Sequence, residues 1–400
     1  MNATVPAPAA AAAPLRAWLA VAAVALGTFA MVTSEFLPIG LLGVIARDMG
    51  VAEGRAGLMV TVPGFTAAFA APAAALLAGR VDRRMLLLVL SALVLASNLV
   101  VAGAASFGML LAGRVLLGLC VGGFWAFAAA VGRRLVPEAS GDRATAIVLA
   151  GISAGTVLGV PMATAIGNQL GWRGAFTVVA LLALATGLAQ GLLLPRLPGG
   201  AGASLRSLPL LLRNRTLVAG LGAAALVAGG HFIAYTYLEP FLAHGAGLEG
   251  AAISLALAAY GVAGIAGTFA GERLAARGLR LAFAGVGLLL ALAIGVLAAT
   301  GAQGWLAGLF VTLWGLAFGA VPVCVQLWVF RATPEQAETG AALMVTVFQL
   351  ALAAGAAGGG WLVDHAGLRA AYGAGALTAL LAALLVMRGR LDAVDNPRFG

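Results

Sequence analysis

Two ionisable residues interrupt stretches of this chain that are otherwise apolar enough to cross a lipid bilayer. Glu35 lies in the run from Trp18 to Leu42, and Arg114 lies in the run over residues 108–132. Both are about 10 Å from the same predicted membrane surface, since a helix rises about 1.5 Å per residue. A charge at that depth costs at least about 2.5 kcal/mol and usually marks a proton or substrate pathway. We therefore expect Glu35 to carry a proton and Arg114 to bind a carboxylate, a water or a substrate oxygen.

The segment over residues 231–241 repeats this combination of polar groups in an apolar stretch. His231 and Tyr235 are one helical turn apart and share a face, so both side chains can contact one ligand. Each can donate and accept hydrogen bonds, as a polyhydroxylated solute requires. Glu239 precedes Pro240 near the outer end of the same stretch and is a third candidate for proton coupling, beside Glu35 and Arg114. Its alternative role is to cap helix ends at the membrane interface.

Further aromatic and amide side chains complete the predicted substrate site. Trp125 falls on the same helical face as Arg114 and offers a ring for stacking, while amides can bind hydroxyl groups. Structural roles are the alternatives: Glu35 as a permanent partner of Arg114, His231 as a packing residue, and the amides as interhelical hydrogen-bond partners. With Arg114, His231 and Tyr235, the candidate substrate contacts are Asn98, Trp125, Trp314, Gln326 and Gln349.

The composition is that of a protein with many membrane spans. Of the 400 residues, 62% are hydrophobic and 9% are charged, and the mean hydropathy is +1.05. A soluble domain has about 25% charged residues with which to cover its surface. Windows of about 20 apolar residues predict an all-α protein with twelve transmembrane helices, over residues 17–42, 56–78, 85–105, 108–132, 144–169, 174–194, 216–243, 250–270, 281–300, 304–330, 341–363 and 370–387.

The basic residues indicate how the chain is oriented in the membrane. The sequence has no lysine, so its 23 basic residues are all arginines, and most fall in segments on the side of the N-terminus. The positive-inside rule places that side, with both termini, in the cytoplasm. The net charge of +9 is spread over short loops instead of one face. This distribution argues against nucleic-acid binding, which requires a continuous basic surface.

No catalytic or metal-binding pattern accompanies the buried charges. The three histidines and two cysteines are far apart in the sequence and lack metal-ligand spacing. The phosphate-binding motif Gly-x-x-x-x-Gly-Lys requires a lysine and does not occur in this sequence. We therefore expect neither an enzyme nor a site for a metal or cofactor.

The two halves of the chain are related by an internal repeat. The segment Gly171–Phe176 (GWRGAF) recurs as Gly367–Tyr372 (GLRAAY), at the outer turn before the last predicted helix of each half. The pair Pro-Glu at 137–138 recurs at 334–335, at an inner turn. Two parallel six-helix halves are an arrangement found in secondary transporters. The predicted division is a first half at 1–194, a cytoplasmic linker at 195–215 and a second half at 216–400.

Several segments resemble bacterial sugar efflux transporters of the drug:proton antiporter branch of the major facilitator superfamily. The resemblance implies a proton-coupled antiporter of the bacterial inner membrane, a monomer that exports small organic solutes by alternating access. Sugars such as arabinose or thiogalactosides are the implied substrates; the alternatives are a chloramphenicol-type multidrug exporter and an uptake permease. The segments are TSEFLPIGLL at 33–42, VDRR at 81–84, VLGVP at 157–161 with GWR at 171–173, SLRSLPLLL at 204–212 and HFIAYTYLEPF at 231–241.

Two further segments resemble motifs of that superfamily. The loop at 79–84 resembles an inner loop whose acidic residue latches one conformation; the alternative is a loop that only orients its two helices. The predicted latch consists of Asp82 with Arg83, Arg84 or Arg143. The fifth span resembles a motif of exporters, in which glycines four residues apart allow close helix contact and a proline bends the helix. Its residues are Gly151, Gly155, Gly159 and Pro161.

Overall fold

The computed structural model describes residues 14–77, 81–125, 128–199, 208–300 and 304–388. In these ranges the chain forms helices joined by short turns, and it contains no β-strand. We label the long helices in chain order and name the short ones by their residues. The long helices are α1 (Leu15–Phe36), α2 (Leu58–Leu77), α3 (Arg83–Ala102), α4 (Phe107–Trp125), α5 (141–170), α6 (172–193), α7 (Arg215–Tyr235), α8 (Ala251–Arg277), α9 (Leu279–Thr300), α10 (Trp305–Ala332), α11 (Ala337–Ala366) and α12 (Leu368–Arg388).

Eleven segments of the described residues are long and apolar enough to cross a membrane. One of them, Arg143–Leu193, contains two spans, because the backbone leaves the helical conformation at Gly171, where φ is 72°. The two arms lie side by side, since Gly151 of α5 and Gln190 of α6 both contact residues 23–27 of α1. The predicted all-α class with twelve transmembrane helices is confirmed.

The turns of the internal repeat have matching backbone conformations. Gly367 has φ 84° and ψ 168°, against 72° and 167° at Gly171. Glycine suits both positions, because residues with a Cβ atom rarely adopt positive φ. The repeated Pro-Glu pair lies at the start of a 3₁₀ helix in each copy, Glu138–Ser140 and Pro334–Gln336. Repeated sequence therefore has repeated structure, while the boundaries of the halves remain a prediction.

The outer turn at Gly171 is fastened by the two residues that follow it. The carboxylate of Asp48 accepts hydrogen bonds from Arg173 at 2.6 Å and from the indole nitrogen of Trp172 at 3.0 Å. These two bonds hold the pKa of Asp48 below its usual range, because both stabilise the ionised carboxylate. The GWR segment thus ties the α5–α6 turn to the chain that follows α1.

Helix contacts fall into two sets, α1–α6 and α7–α12. In the first set α1 packs on α5, α2 on α4, and α3 on α4 and α6. In the second set α8 packs on α10, α9 on α12, and α7 on α11 and α12. Between the sets, α2 packs against α11 and α5 against α8. Residues 200–207 of the predicted linker lie outside the described residues.

The glycines of α5 form the surface against which α1 lies. A Cβ atom at Gly151 would clash with the carbonyl oxygen of Ala25, and one at Gly155 would be 2.8 Å from the Cβ atom of Val32. Gly159 would bring a Cβ atom to 3.2 Å from the α1 backbone. Small residues allow this approach of two backbones, as is common between helices in lipid.

One end of the bundle is closed by hydrogen bonds between the two helix sets. Glu239 accepts from the N–H of Gly43, and Asp364 accepts from the N–H of Gly54, each at 2.8 Å. The hydrogen bonds that link the described parts of the two sets lie at this end or near the middle of the bundle. We call this end the closed end.

We expect the face of α5 that meets α1 to accept no added methyl group. Gly151→Ala would push a Cβ atom into the Ala25 carbonyl, so the detergent-solubilised variant should unfold at a lower temperature than the wild type. Gly358→Ala is the matched control, because a Cβ atom at Gly358 in α11 would have nothing within 4 Å. Alanine there should leave the unfolding temperature unchanged or raise it. Equal effects of the two substitutions would contradict the packing face.

Candidate functional site

Arg114 is fully buried and binds three main-chain carbonyl oxygens. Its Nε donates to Met59 of α2, while Nη1 and Nη2 donate to Ser34 and Glu35 of α1, each at 2.8 Å. A guanidinium group is planar and presents its N–H donors in a fixed fork, so it can hold several oxygens at once. The side chain thereby fastens α4 to both α1 and α2.

Two prolines explain why these carbonyls need an outside donor. In a helix, the carbonyl of one residue accepts from the N–H four residues later. Pro38 stands four residues after Ser34, and Pro63 stands four residues after Met59. Proline has no N–H, so both carbonyls lose their helical partner. Arg114 supplies the two missing donors.

The carboxylate of Glu35 binds the second helix set instead of Arg114. Its Oε1 accepts a hydrogen bond from Nε2 of Gln349 in α11 at 3.3 Å, and the residue is 5% exposed. The side chains of Glu35 and Arg114 therefore do not form the direct ion pair of the alternative interpretation in this structure. The guanidinium binds backbone carbonyls instead. Next to Glu35, Phe36 stacks on Phe232 of α7 with the ring centroids 6.2 Å apart. Glu35 thus lies at the contact between the two sets.

The second helix set contains a cluster of rings around His231 of α7. The imidazole stacks on Phe318 of α10, with centroids 3.4 Å and planes 8° apart, and on Tyr235 at 4.6 Å and 25°. The indole nitrogen of Trp314 donates to His231 Nδ1 at 2.9 Å, and the ring of Tyr260 in α8 is 6.4 Å away. The structure brings together three residues chosen from the sequence. Phe318 and Tyr260 were missed, because nothing in their local sequence distinguishes them from packing rings.

Three polar atoms of this ring cluster have no hydrogen-bond partner among the described residues. They are His231 Nε2 and the hydroxyl groups of Tyr260 and Tyr372, and all three atoms are buried. Tyr372 of α12 joins the cluster through Trp314, whose ring centroid is 5.9 Å away. Buried polar atoms are nearly always paired, and an unpaired one costs about 1–3 kcal/mol. A ligand that brings its own donors and acceptors would recover this free energy.

Two other predicted substrate contacts do not join the cluster, and the side chain of a third is not described. Asn98 is buried inside the first helix set, where its amide nitrogen donates to Ser34 Oγ and to the Val94 carbonyl at 2.8 Å each. Asn98 is therefore an interhelical partner, because these bonds use its donors within the first set. Gln326 is exposed on α10. Trp125 ends α4, and its side chain lies outside the described residues.

The inner loop does not form the predicted latch in this structure. Asp82 caps α3 through the N–H of Arg84 at 2.8 Å, and it also accepts from the N–H of Leu197 at 2.9 Å. The Arg84 guanidinium donates to a carbonyl near the end of α6 at 2.5 Å, and Arg143 lies 5.1 Å from the centroid of an α1 tryptophan ring. The backbone N–H of Arg83 donates to the Leu197 carbonyl at 2.8 Å. Asp82 thus satisfies unpaired N–H groups at the start of α3 and binds one N–H of the predicted linker.

The closed end is held by two carboxylates that cap short helices. Gly43 and Gly54 each lie in the first turn of such a helix, where N–H groups have no intrahelical partner. Glu239 and Asp364 supply the acceptors from the second set. The Tyr237 hydroxyl adds a contact of 3.3 Å to the Gly54 carbonyl. Glu239 therefore has the capping role that was the alternative to proton coupling.

Residues 24–356 match the family model of the Major Facilitator Superfamily. The chain belongs to this superfamily. Its relatives include the purine ribonucleoside efflux pumps NepI of Salmonella enteritidis PT4 (strain P125109) and of Salmonella typhi. Each is 36% identical to this chain, over 92% of the chain and 93% of the pump. The protein is therefore a multi-pass membrane transporter of the efflux type and not an enzyme.

Solved structures of low sequence identity share the fold of this superfamily member. A bacterial homologue of the human lysosomal transporter Spinster, in an inward-facing and occupied conformation, has a TM-score of 0.76 at 17% identity, covering 96% of this chain and 99% of that one. A D-xylose–proton symporter has a TM-score of 0.71 at 18% identity, covering 94% and 97%. The shared architecture is that of a transporter with two helix sets.

We expect Arg114→Met to lower the unfolding temperature strongly, because three buried carbonyls lose their donor at a cost of about 1–3 kcal/mol each. Adding Pro38→Ala should restore part of the loss, since the new backbone N–H can bind the Ser34 carbonyl. Arg369→Met is the control, because Arg369 is exposed. Thermal unfolding in detergent is measured for the wild type, the three single variants Arg114→Met, Pro38→Ala and Arg369→Met, and the double variant. If Pro38→Ala lowers the unfolding temperature of the Arg114→Met variant as much as that of the wild type, Arg114 does not replace the missing donor.

We expect Glu239→Ala to release the closed end at least about tenfold more often. The variant loses a charge-assisted hydrogen bond worth about 1.5–3 kcal/mol, and 1.4 kcal/mol is about tenfold. The measurement is the reaction of a cysteine at position 46, where Ala46 is 2% exposed, with a water-soluble maleimide in detergent. The native cysteines are buried and should stay unreactive. Glu249→Ala removes an exposed acid and should leave the rate of maleimide labelling unchanged. An equal labelling rate in the Glu239 and Glu249 variants would exclude Glu239 from closure.

Proposed function

We propose that this protein exports purine ribonucleosides in exchange for protons across the bacterial inner membrane. The observation that carries the proposal is the ring cluster around His231, which combines stacking faces with three unpartnered polar atoms. A purine ribonucleoside can use both, because its base stacks and its hydroxyls and ring nitrogens form hydrogen bonds. The activity of the NepI relatives, purine ribonucleoside efflux, supports the same substrate class.

The proposed cycle alternates between two conformations. The positive-inside rule would orient the closed end outwards and both termini into the cytoplasm, so we assign this structure to the state that is closed to the outside. The halves at 1–194 and 216–400, joined by the linker at 195–215, would rock about a site between them. A single chain supplies both halves, and we infer that the monomer is the working unit.

Glu35 is the proposed proton carrier. It binds across the two helix sets through Gln349, whereas Arg114 holds the backbone beside it. The hydrogen-bond partner of the Glu35 carboxyl group is a neutral amide, so this group can gain or lose a proton without breaking a direct ion pair. Glu239 lies at the closed end and is assigned to closure.

A sugar exporter is the second candidate. The segments at 204–212 and 231–241, which resemble sugar efflux transporters, favour it. A free pentose could bind the hydroxyl groups of the cluster but would leave most of its rings without a flat partner. A nucleoside contains the pentose and the flat partner together.

Everted membrane vesicles separate the substrate classes. We expect vesicles with an acidified interior to accumulate radiolabelled inosine well above vesicles from cells without the protein, and to accumulate arabinose and chloramphenicol at that baseline. His231→Ala should lower inosine accumulation about fivefold or more, because a lost buried hydrogen bond costs about 1–3 kcal/mol. Accumulation of arabinose without inosine would overturn the proposal and favour the sugar exporter.

Glu35→Gln removes the proposed proton carrier and keeps an acceptor for Gln349. Proton-driven accumulation of inosine should fall to baseline, while exchange of labelled for unlabelled inosine should persist, because exchange requires no net proton movement. Glu272→Gln is the control, since Glu272 is an exposed acid on α8. Full proton-driven accumulation by the Glu35 variant would rule this residue out as the carrier.

A further inference from the structure

His231 is held in one tautomer by its indole partner. Its Nδ1 lies 2.9 Å from the Trp314 indole nitrogen. An indole nitrogen can only donate, so Nδ1 accepts and carries no proton. In the neutral imidazole the proton is then on Nε2, which is buried and has no partner among the described residues. His231 therefore presents an unused hydrogen-bond donor.

The ring of Phe318 occupies a stacking position on this imidazole. The two rings are parallel within 8°, and their centroids are 3.4 Å apart, close to the spacing of about 3.4 Å between stacked bases. His231 is fully buried, whereas Phe318 is half-buried and can be reached from outside the cluster. A phenyl ring has no in-plane acceptor, so Phe318 fills the position without using the Nε2 proton.

Two unpaired hydroxyl groups belong to the same cluster. The rings of Tyr260 and Tyr372 lie 6.1 Å and 5.9 Å from the ring of Trp314, and neither hydroxyl has a partner among the described residues. Each hydroxyl can donate or accept. The cluster thus combines a stacking position with three unsatisfied polar groups, which suits a flat solute with polar edges.

We propose that Phe318 holds the place of the substrate's base. When substrate binds, the phenyl ring turns away and a planar heterocycle stacks on His231. The Nε2–H, which points along the imidazole plane, donates to a substrate oxygen beside the stacked base, such as a ribose hydroxyl. This inference rests on the proposed nucleoside export and names the residues that bind the base and the ribose. A free pentose has no planar face, and an apolar aromatic compound has no hydrogen-bond acceptor.

Equilibrium binding of inosine to the purified full chain tests the stacking position. Phe318→Ala should tighten binding about fivefold, because no ring must be displaced, and Phe318→Trp should weaken it by a similar factor. Phe348→Ala is the matched control. Phe348 is half-buried on α11 and its ring lies 6.3 Å from Phe232. This control should leave the Kd for inosine unchanged.

The hydrogen bond is tested by His231→Phe, which keeps a ring and removes both nitrogens. The Kd for inosine should rise about fivefold or more. The chain has three histidines, so nitrogen NMR of protein labelled at histidine can resolve each imidazole. The signals lost in His231→Phe identify those of His231. They should show a protonated Nε2 and a bare Nδ1, and inosine should shift the Nε2 signal.

The outcomes separate this inference from the proposed function. If the wild type binds no purine nucleoside, both the proposed function and the proposed role of Phe318 are overturned. If inosine binds but leaves the Nε2 signal in place, and Phe318→Ala does not tighten binding, only the position of the base is overturned. The His231 signals of the wild type can also be assigned by replacing the exposed His244 and His365 one at a time, so a His231→Phe variant that fails to fold does not prevent the decision.

Discussion

Three hydrogen bonds from the Arg114 guanidinium hold α1, α2 and α4 together where two prolines interrupt the backbone hydrogen bonds of the first helix set. Pro38 and Pro63 each remove a backbone donor, and in the hydrocarbon region an unpaired carbonyl costs several kcal/mol. Arg114 pairs with both freed carbonyls and with that of Glu35. Helix α1 can therefore end and pass into the 3₁₀ segment Leu37–Gly40 while these carbonyls stay paired. The contact of Glu35 with α11 depends on this break being held in place.

The two helix sets contribute different chemistry to the region where they meet. The first set brings charge, as Glu35 and Arg114, and the second brings a neutral cluster of rings around His231. They are joined by the amide of Gln349 and by the stacking of Phe36 on an α7 ring. A proton and an uncharged flat solute would thus be bound mainly by different sets. Movement of one set against the other is the natural way for such a protein to link the two binding events.

The sequence predicted the fold class and the number of spans because apolar length is a local property of the chain. It also singled out Glu35 and His231 as candidates, because polar groups are conspicuous in apolar runs. The equal depth of Glu35 and Arg114 in the membrane suggested an ion pair between them. The prolines four residues beyond Ser34 and Met59 already indicated two backbone carbonyls that lack a helical donor. Phe318 could not be found from the sequence. Its stacking depends on how α10 is rotated against α7, and no local pattern determines that angle.

The carbonyl partners of Arg114 have an electrical consequence. Dipoles stabilise its positive charge without cancelling it, so the charge remains when Glu35 takes up a proton. The buried pair is then neutral with Glu35 ionised and carries a net positive charge with Glu35 protonated. If the chain exchanges protons for an uncharged solute, as proposed, each turn of the cycle would move charge inwards, and the membrane potential would contribute about 2.3 kcal/mol per 100 mV for each elementary charge. The exchange would then respond to voltage as well as to the proton gradient.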